Sequence, residues 1–94
     1  MNIVFEALAH PTRRAILEML KRGTRTAGEL ADAFDVSKPT MSGHFAKLKE
    51  AGLIQADQRG TTILYSLNLS TLEEVLLGFM GKMGVFAEAK GETS

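Results

Sequence analysis

Residues 37–50, SKPTMSGHFAKLKE, predict a short helix with a marked start and two unlike faces. Ser37 is a good N-cap because its hydroxyl can accept a hydrogen bond from a free backbone N–H of the first turn. Pro39 suits that turn because its φ is fixed and its missing N–H is not needed there. The apolar residues recur at i, i+4 and i+7: Met41, Phe45 and Leu48. We therefore predict that this stripe packs on a core.

The opposite face of the same helix carries small, polar and cationic residues: Thr40, Ser42, Gly43, Ala46 and Lys47. Small side chains permit close approach to another surface, and Lys38 and Lys49 add positive charge. This composition suits a helix that enters a DNA major groove, where base edges are read and phosphates line the rim. The alternative, for this helix taken alone, is an ordinary amphipathic helix with a solvated face.

Two helices are predicted upstream, over Asn2–Ala9 and from Pro11 to about Lys21. The first is so apolar for its length that something must cover it. His10 separates the two because a residue before proline is pushed out of the α region. Gly23 is expected to end the second helix with a positive φ.

A third short helix is predicted from the capping-box pattern of Thr26 and Glu29 to about Phe34. Val36 lies in the turn that follows, and we expect it to fill the angle between this helix and the next. Two short helices joined by a tight turn form a helix-turn-helix, with residues 37–50 as its second helix.

Residues Leu53–Arg59 and Thr61–Leu67 alternate apolar and polar side chains, which predicts a β-hairpin. Gly60 supplies the positive φ that a tight turn needs. A hairpin directly after a helix-turn-helix is a wing. Arg59 at its tip has two interpretations, a contact with a DNA minor groove or a solvated turn.

The last predicted helix begins with a second capping-box pattern, Ser70 to Glu73, and runs to about Phe86. Its apolar residues cover more than one face, so one side is expected to pack on the core and the other on a partner. We predict one domain over residues 1–86 and a flexible tail over 87–94. The predicted fold is mainly α with a β-hairpin wing, a winged helix-turn-helix in the order α-α-α-α-β-β-α.

The composition of the 94 residues, 45% hydrophobic and 23% charged, is typical of a single globular domain. The net charge is zero, but residues 37–59 hold four Lys or Arg against two Asp or Glu, and residues 70–94 hold two against four. The middle of the chain is therefore favoured as the partner of a polyanion. No apolar run approaches the roughly 18 residues that span a membrane, so a cytoplasmic location is expected.

Signatures of enzymes and of metal sites are missing from the sequence. It has no glycine-rich phosphate loop after a strand, no nucleophile elbow and no metalloprotease motif, so we predict neither an enzyme nor a cofactor. There is no cysteine, and His10 and His44 are the only histidines. Two histidines far apart do not make a transition-metal site, so we predict no metal.

Three segments resemble the ArsR family of bacterial winged-helix repressors: PTRRAILEML (11–20), ELADAFDVSKPTMSGHFAKLKEAGLI (29–54) and RGTTILYSL (59–67). The resemblance covers roughly Phe5 to Leu67 and is closest to a branch of metal-independent autorepressors. It implies a homodimer built from the first and last helices, binding to a double-stranded DNA operator, and repression that is lifted by an unknown effector or sequestering partner. A two-fold axis would demand an inverted-repeat operator.

The resemblance also implies roles for individual residues. Those assigned to DNA contact are Ser37, Lys38, Thr40, Ser42, Gly43, His44, Lys47 and, in the wing, Arg59. Those assigned to the dimer interface are Ile3, Val4, Phe5, Leu8, Leu76, Phe79, Met80 and Met83. Family members often carry histidine at the position of Gly43, so either the operator differs there or the helix lies closer to the DNA. His44 has two interpretations, a contact with a base edge or phosphate, or a place at the rim of the core.

Two other hypotheses belong beside this one. The first is a winged-helix protein-interaction module that does not select a DNA sequence and binds its partner through the apolar part of the last helix. The second is a repressor switched by a small apolar ligand in the dimer interface.

Overall fold

The computed structural model describes residues 2–84. The helices are α1 (Asn2–Leu8), α2 (Pro11–Lys21), α3 (Ala27–Asp32), α4 (Lys38–Glu50) and α5 (Leu69–Lys82), and the strands are β1 (Arg25–Thr26), β2 (Ile54–Arg59) and β3 (Thr62–Leu67). The predicted winged helix-turn-helix is confirmed, with one short strand added to the predicted order. The predicted end of the last helix at Phe86 and the tail over 87–94 lie outside the described residues.

The three strands form an antiparallel sheet in the order β1-β3-β2. Arg59 pairs with Thr62, so the wing turns over two residues, and Gly60 there has a φ of 62°. In β1, Arg25 lies opposite Tyr65. This strand was not predicted, because two residues carry no alternation that a sequence pattern could show. Its pairing fixes the start of α3 to the wing.

The core is formed by side chains from both the helices and the sheet. It comprises Val4, Ala7, Ile16, Leu17, Leu20, Leu30, Met41, Phe45, Leu48, Ala51, Leu53, Ile54 and Tyr65. The stripe on α4 that was predicted to pack inward is buried. The Phe45 and Tyr65 rings lie 4.6 Å apart between centroids, which joins α4 to β3. One face of α4 is therefore fixed by packing.

One of the two predicted capping boxes forms. The Glu29 backbone N–H donates to Thr26 Oγ1 at 3.0 Å, and the Thr26 N–H donates to Glu29 Oε1 at 2.8 Å. These bonds to the backbone and side chain of Thr26 lower the pKa of Glu29. The box predicted at Ser70 is wrong, because α5 begins at Leu69 with Asn68 as its N-cap. Ser70 therefore lies inside the first turn.

The turn of the helix-turn-helix differs from the prediction. Helix α3 ends at Asp32 rather than Phe34, and Val36 is 39% exposed instead of filling the angle between α3 and α4. Phe34 is half-buried and packs against the core. The longer turn places the larger ring inward and leaves the smaller valine at the surface.

Candidate nucleic-acid interface

The start of α4 is held by the two residues that the sequence marks. The Ser37 Oγ accepts a hydrogen bond from the Thr40 backbone N–H at 3.3 Å. The hydroxyls of Ser37 and Thr40 also bond to each other at 2.9 Å. Since two bonded hydroxyls share one of their two protons, the pair keeps one proton for an outside acceptor. Both residues are exposed, so this donor faces solvent at the first turn.

The exposed face of α4 contains most of the residues predicted to contact DNA. Those that lie at the surface of this segment are Ser37, Lys38, Thr40, Ser42, Gly43 and Lys47. Ala46 and Lys49 are exposed on the same helix. The structure therefore brings the small, hydroxyl-bearing and cationic residues together, and keeps the apolar ones away from them.

Gly43 lies at the middle of this exposed face, and protein packing does not require a glycine there. A Cβ built on it has no atom within 4 Å. Glycine in a helix interior costs roughly 1 kcal/mol relative to alanine. The residue therefore weakens α4 without relieving a clash in the described part of the protein, and it leaves the backbone open to close approach.

His44 does not lie on the exposed face, which corrects its assignment to DNA contact. Its side chain is 6% exposed and lies among the buried residues of α4. The Nδ1 atom is 3.2 Å from Nη1 of Arg13, and the ring centroid is 4.5 Å from that of His10. Of the two interpretations given for His44, the place at the rim of the core is the one its burial favours. Sequence reasoning could not decide between them, because position 44 borders both faces of the helix.

In the wing, Arg59 is exposed but already has a partner. Its Nε and Nη2 both lie 2.8 Å from Oδ2 of Asp57. The hydrogen bond to Asp57 and the negative charge of that carboxylate raise the pKa of Arg59. Asp57 was not predicted as the partner of Arg59, although residues i and i+2 of a strand share a face. The pair leaves the wing tip without net charge until Arg59 exchanges Asp57 for another anion.

A second exposed surface is apolar and is formed by α1 and α5. The large apolar side chains exposed there are Ile3, Leu69, Leu76, Leu77, Phe79, Met80 and Met83. Phe5 is half-buried, and its ring meets that of Phe79 edge to face with centroids 5.4 Å apart. We name this set, with Phe5, the α1/α5 surface. Sequence reasoning missed Leu69 and Leu77 as part of it.

The assignment of Val4 to the dimer interface is corrected by its burial. Its side chain is 4% exposed and belongs to the core of the chain, so it is not available to a partner. Leu8 is half-buried and lines a groove of about 460 Å³ together with Leu17, Leu67, Leu69, Leu72 and Leu76. The groove shares Leu69 and Leu76 with the α1/α5 surface and extends it.

The described residues show neither a cluster of metal ligands nor a membrane-spanning helix. Within residues 2–84, no group of three or more His, Asp or Glu side chains is arranged to hold a metal ion. Across the same residues, none of the helices combines the length and the apolar character that crossing a bilayer requires.

Comparison with known proteins identifies the family. The family described as "Helix-turn-helix domain" matches residues 8–55. The transcriptional repressor SdpR of Bacillus subtilis is 45% identical over 85 residues, which are 87% of this chain and 94% of that protein. The repressor SmtB of Mycobacterium tuberculosis is 35% identical over 81 residues, 86% of this chain and 60% of that protein. A crystal structure of an ArsR family transcriptional regulator has a TM-score of 0.83 at 31% identity, covering 92% of this chain and 94% of that one.

This chain belongs to the ArsR family. As an ArsR-family protein it is a sequence-specific DNA-binding transcriptional repressor and not an enzyme. The hypothesis of a protein-interaction module without sequence-selective DNA binding is not favoured, because the relatives over most of the chain are repressors. Helix α4 is the second helix of the helix-turn-helix in this ArsR-family fold.

Proposed function

We propose that this repressor binds an inverted-repeat operator as a homodimer, with the exposed face of α4 from each copy in a major groove. The observation that carries the proposal is the division of α4 into a buried and an exposed face. Met41, Phe45 and Leu48 fix the helix to the core, while its hydroxyls, glycine and lysines remain at the surface. A helix held in this way can present short polar side chains to base edges.

The residues of α4 have different proposed roles. Lys38 and Lys47 contact phosphates, because a long cationic side chain reaches the rim of the groove, and such contacts position the protein without selecting a sequence. Thr40 and Ser42 contact base edges, since their short hydroxyl side chains can donate and accept at close range. Gly43 permits the close approach that these short side chains need.

The wing adds a contact beside the major groove. Arg59 is exposed at the end of β2, next to the turn, and reaches the flanking minor groove, where narrow A·T-rich segments attract cations. Because Asp57 now binds its guanidinium, this contact requires Arg59 to exchange a carboxylate for DNA. The wing therefore binds DNA less strongly than it would if Arg59 had no partner in the protein.

The α1/α5 surface supports the proposed dimer. Met83 is 62% exposed and Leu77 is 52% exposed, which is unfavourable for apolar side chains unless a partner covers them. Burial of the surface by a second copy would also cover the leucine-lined groove that continues it. A two-fold dimer presents two α4 helices in opposite directions, so its operator is an inverted repeat with half-sites about one helical turn apart, or a multiple of it.

We further propose that the target includes the DNA upstream of the protein's own gene. Support comes from the resemblance of residues 5–67 to the autorepressor branch of the family. A repressor that controls its own gene limits its own concentration, and an effector or a sequestering partner would then restore expression.

Selection of binding sites from a pool of random duplexes tests the operator model. We expect the enriched sites to share an inverted repeat with half-site centres about 10 base pairs apart or a multiple of that distance. Enrichment of a single asymmetric site would contradict the dimer arrangement. A pool that remains random would contradict the assignment of base contacts to α4.

Analytical ultracentrifugation tests the dimer itself. The double substitution Met80→Glu and Met83→Glu introduces two charges into the α1/α5 surface and is expected to give monomers. Lys82→Glu is the matched control, because Lys82 is an exposed polar residue of the same helix and is expected to leave the dimer intact. If both proteins sediment like the wild type, another surface forms the dimer.

A further inference from the structure

Arg13 connects the end of α1 to α4. Its Nε donates to the Ala7 carbonyl oxygen at 2.8 Å and its Nη2 donates to that of Glu6 at 2.9 Å. Its Nη1 lies 3.2 Å from Nδ1 of His44. One guanidinium thus joins the carbonyls of Glu6 and Ala7 at the C-terminus of α1, where a cation is favoured by the helix dipole, to a buried side chain of α4.

The chemistry of the contact fixes the state of His44. A guanidinium has only donors, so Nδ1 of His44 must be the acceptor. The imidazole is therefore neutral and carries its single proton on Nε2. A second proton on Nδ1 would place an N–H against an N–H and two positive charges side by side, which is incompatible with the bond.

The surroundings of His44 also oppose its charged form. Besides Arg13 on α2, the titratable group facing the ring is His10, in the segment between α1 and α2. From α1, Glu6 offers Arg13 its backbone carbonyl. On β2, which also packs on α4, Asp57 and Arg59 pair with each other. Burial lowers the pKa of His44, and the charges of His10 and Arg13 lower it further.

We propose that Arg13 is a positioning residue for DNA binding, which holds α4 at a fixed angle to α1 through neutral His44, and that acidification releases α4 and weakens operator binding. This inference rests on the proposed contact between α4 and the operator. Helix α1 contributes to the α1/α5 surface through Phe5. Arg13 therefore links the dimer axis to the helix that reads the DNA, and the spacing of the two α4 helices depends on it.

The direction of the pH effect follows from the lowered pKa. When the folded-state pKa of a histidine lies below its ordinary value of about 6.5, the folded protein is fully stable above that value. Stability is then lost as the pH falls below about 6.5 and toward the folded-state pKa. Operator affinity falls only as the pH approaches the folded-state pKa of His44, where the contact opens in the free protein. Below that pKa, uptake of one proton per copy lowers the affinity by up to about tenfold per pH unit per copy.

Anisotropy titrations of the wild type and of His44→Asn, with the duplex enriched in the site selection above, test this proposal at about pH 7.5 and at a series of lower pH values at which both proteins remain folded. Asparagine places Oδ1 where His44 has Nδ1, so it can accept from Arg13 without titrating. We expect the wild type to lose affinity at the lower pH values and the variant to show a nearly flat profile. Equal loss in both proteins would overturn the proposal. A wild type that does not select the operator even at the higher pH would instead contradict the proposed function.

Two further variants separate the contributions of neighbouring groups. His10→Asn preserves the cap on the Thr12 N–H, which His10 Nδ1 now accepts at 3.1 Å, and removes the other histidine. We expect this variant to lose operator affinity at low pH as the wild type does. If it does not lose affinity, the group that titrates is His10 and not His44. Arg14→Lys is the matched control for Arg13→Lys, because Arg14 bonds to the Leu8 carbonyl but not to His44. Only Arg13→Lys is expected to make operator affinity independent of pH. If Arg14→Lys has the same effect, the specific role of Arg13 is overturned.

An NMR measurement on the wild type tests the same point without a substitution. The nitrogen shifts of His44 are expected to show a neutral ring with the proton on Nε2 and a pKa below 6.5. A proton on Nδ1 at neutral pH would overturn the proposal. Circular-dichroism melting of each variant identifies any that fails to fold, and for those the NMR result decides.

Discussion

Arg59 and Asp57 form a bifurcated ion pair in the wing, with Nε and Nη2 of the arginine both 2.8 Å from one carboxylate oxygen. The side chains are 69% and 57% exposed, so the pair is accessible to other ions. In the proposed complex the phosphates compete with Asp57 for Arg59. In this proposal, Asp57 is an internal competitor that lowers the affinity of the wing for DNA.

Removal of that competitor is expected to strengthen DNA binding. Asp57→Asn frees Arg59 and removes a negative charge that would lie near phosphates. We expect a several-fold gain in affinity for any sequence and a salt dependence steeper by about one unit per copy. The melting temperature should change little, because exposed ion pairs contribute little to stability. Anisotropy titrations at several salt concentrations measure both effects.

Glu73→Gln is the control for this substitution, since Glu73 is an exposed acid on α5 and the change in net charge is the same. If Glu73→Gln raises affinity as much as Asp57→Asn, the effect is one of overall charge. An unchanged affinity in Asp57→Asn would show that Arg59 does not contact DNA.

The two capping-box patterns predict unequal losses of stability. Thr26→Ala removes a hydroxyl that accepts from the Glu29 N–H at 3.0 Å and is expected to cost about 1 kcal/mol. Ser70→Ala, at a site with the same sequence pattern, is expected to cost nothing because Asn68 is the N-cap of α5. Urea unfolding monitored by circular dichroism measures both. Equal losses would contradict the observed start of α5.

The capping-box patterns at Thr26 and Ser70 also show what sequence can and cannot predict. Ser37, Thr26 and Gly60 act through bonds or dihedral angles within three residues, so their roles could be predicted from the sequence. Ser70 has the same local pattern, but the N-cap of the helix lies two residues earlier, at Asn68, and the motif alone does not show where the preceding strand ends.

The remaining errors concern contacts between distant parts of the chain. Val4 was assigned to the dimer interface because it is apolar, but only the packed structure shows that it belongs to the core of its own chain. The burial of His44 depends on Arg13 and His10, which are more than 30 residues away in sequence. The exposed face of α4 was predicted from periodicity, while the DNA contacts of its residues remain predictions.

Gly43 is expected to lower the stability of the protein and to raise its affinity for the operator. Gly43→Ala should raise the free energy of unfolding by roughly 0.5–1 kcal/mol, because alanine favours the helix and open space surrounds its Cβ. The added methyl group is expected to weaken operator binding if the backbone approaches the bases closely. Unchanged binding by Gly43→Ala would indicate that α4 lies farther from the bases.

Lys47 and Ser42 are expected to differ in the kind of binding they support. Lys47→Gln should weaken binding to operator and scrambled DNA alike and reduce the salt slope by about one unit per copy, as loss of a phosphate contact predicts. Ser42→Ala should lower the preference for the operator, by less than the roughly 1–3 kcal/mol that a bidentate base contact supplies, and leave binding to scrambled DNA unchanged. Competition titrations against both duplexes distinguish them. The reverse pattern would mean that the two roles are exchanged.

Operator binding is tested most directly by a fluorescence-anisotropy titration of the purified protein. The titration uses the DNA upstream of its own gene and a scrambled duplex, each at two salt concentrations. We expect tight binding to the native fragment alone, with two copies per site and a steep loss of affinity at the higher salt concentration. Equal and weak binding to both duplexes would contradict this expectation, because contacts to phosphates alone would then explain all of the affinity.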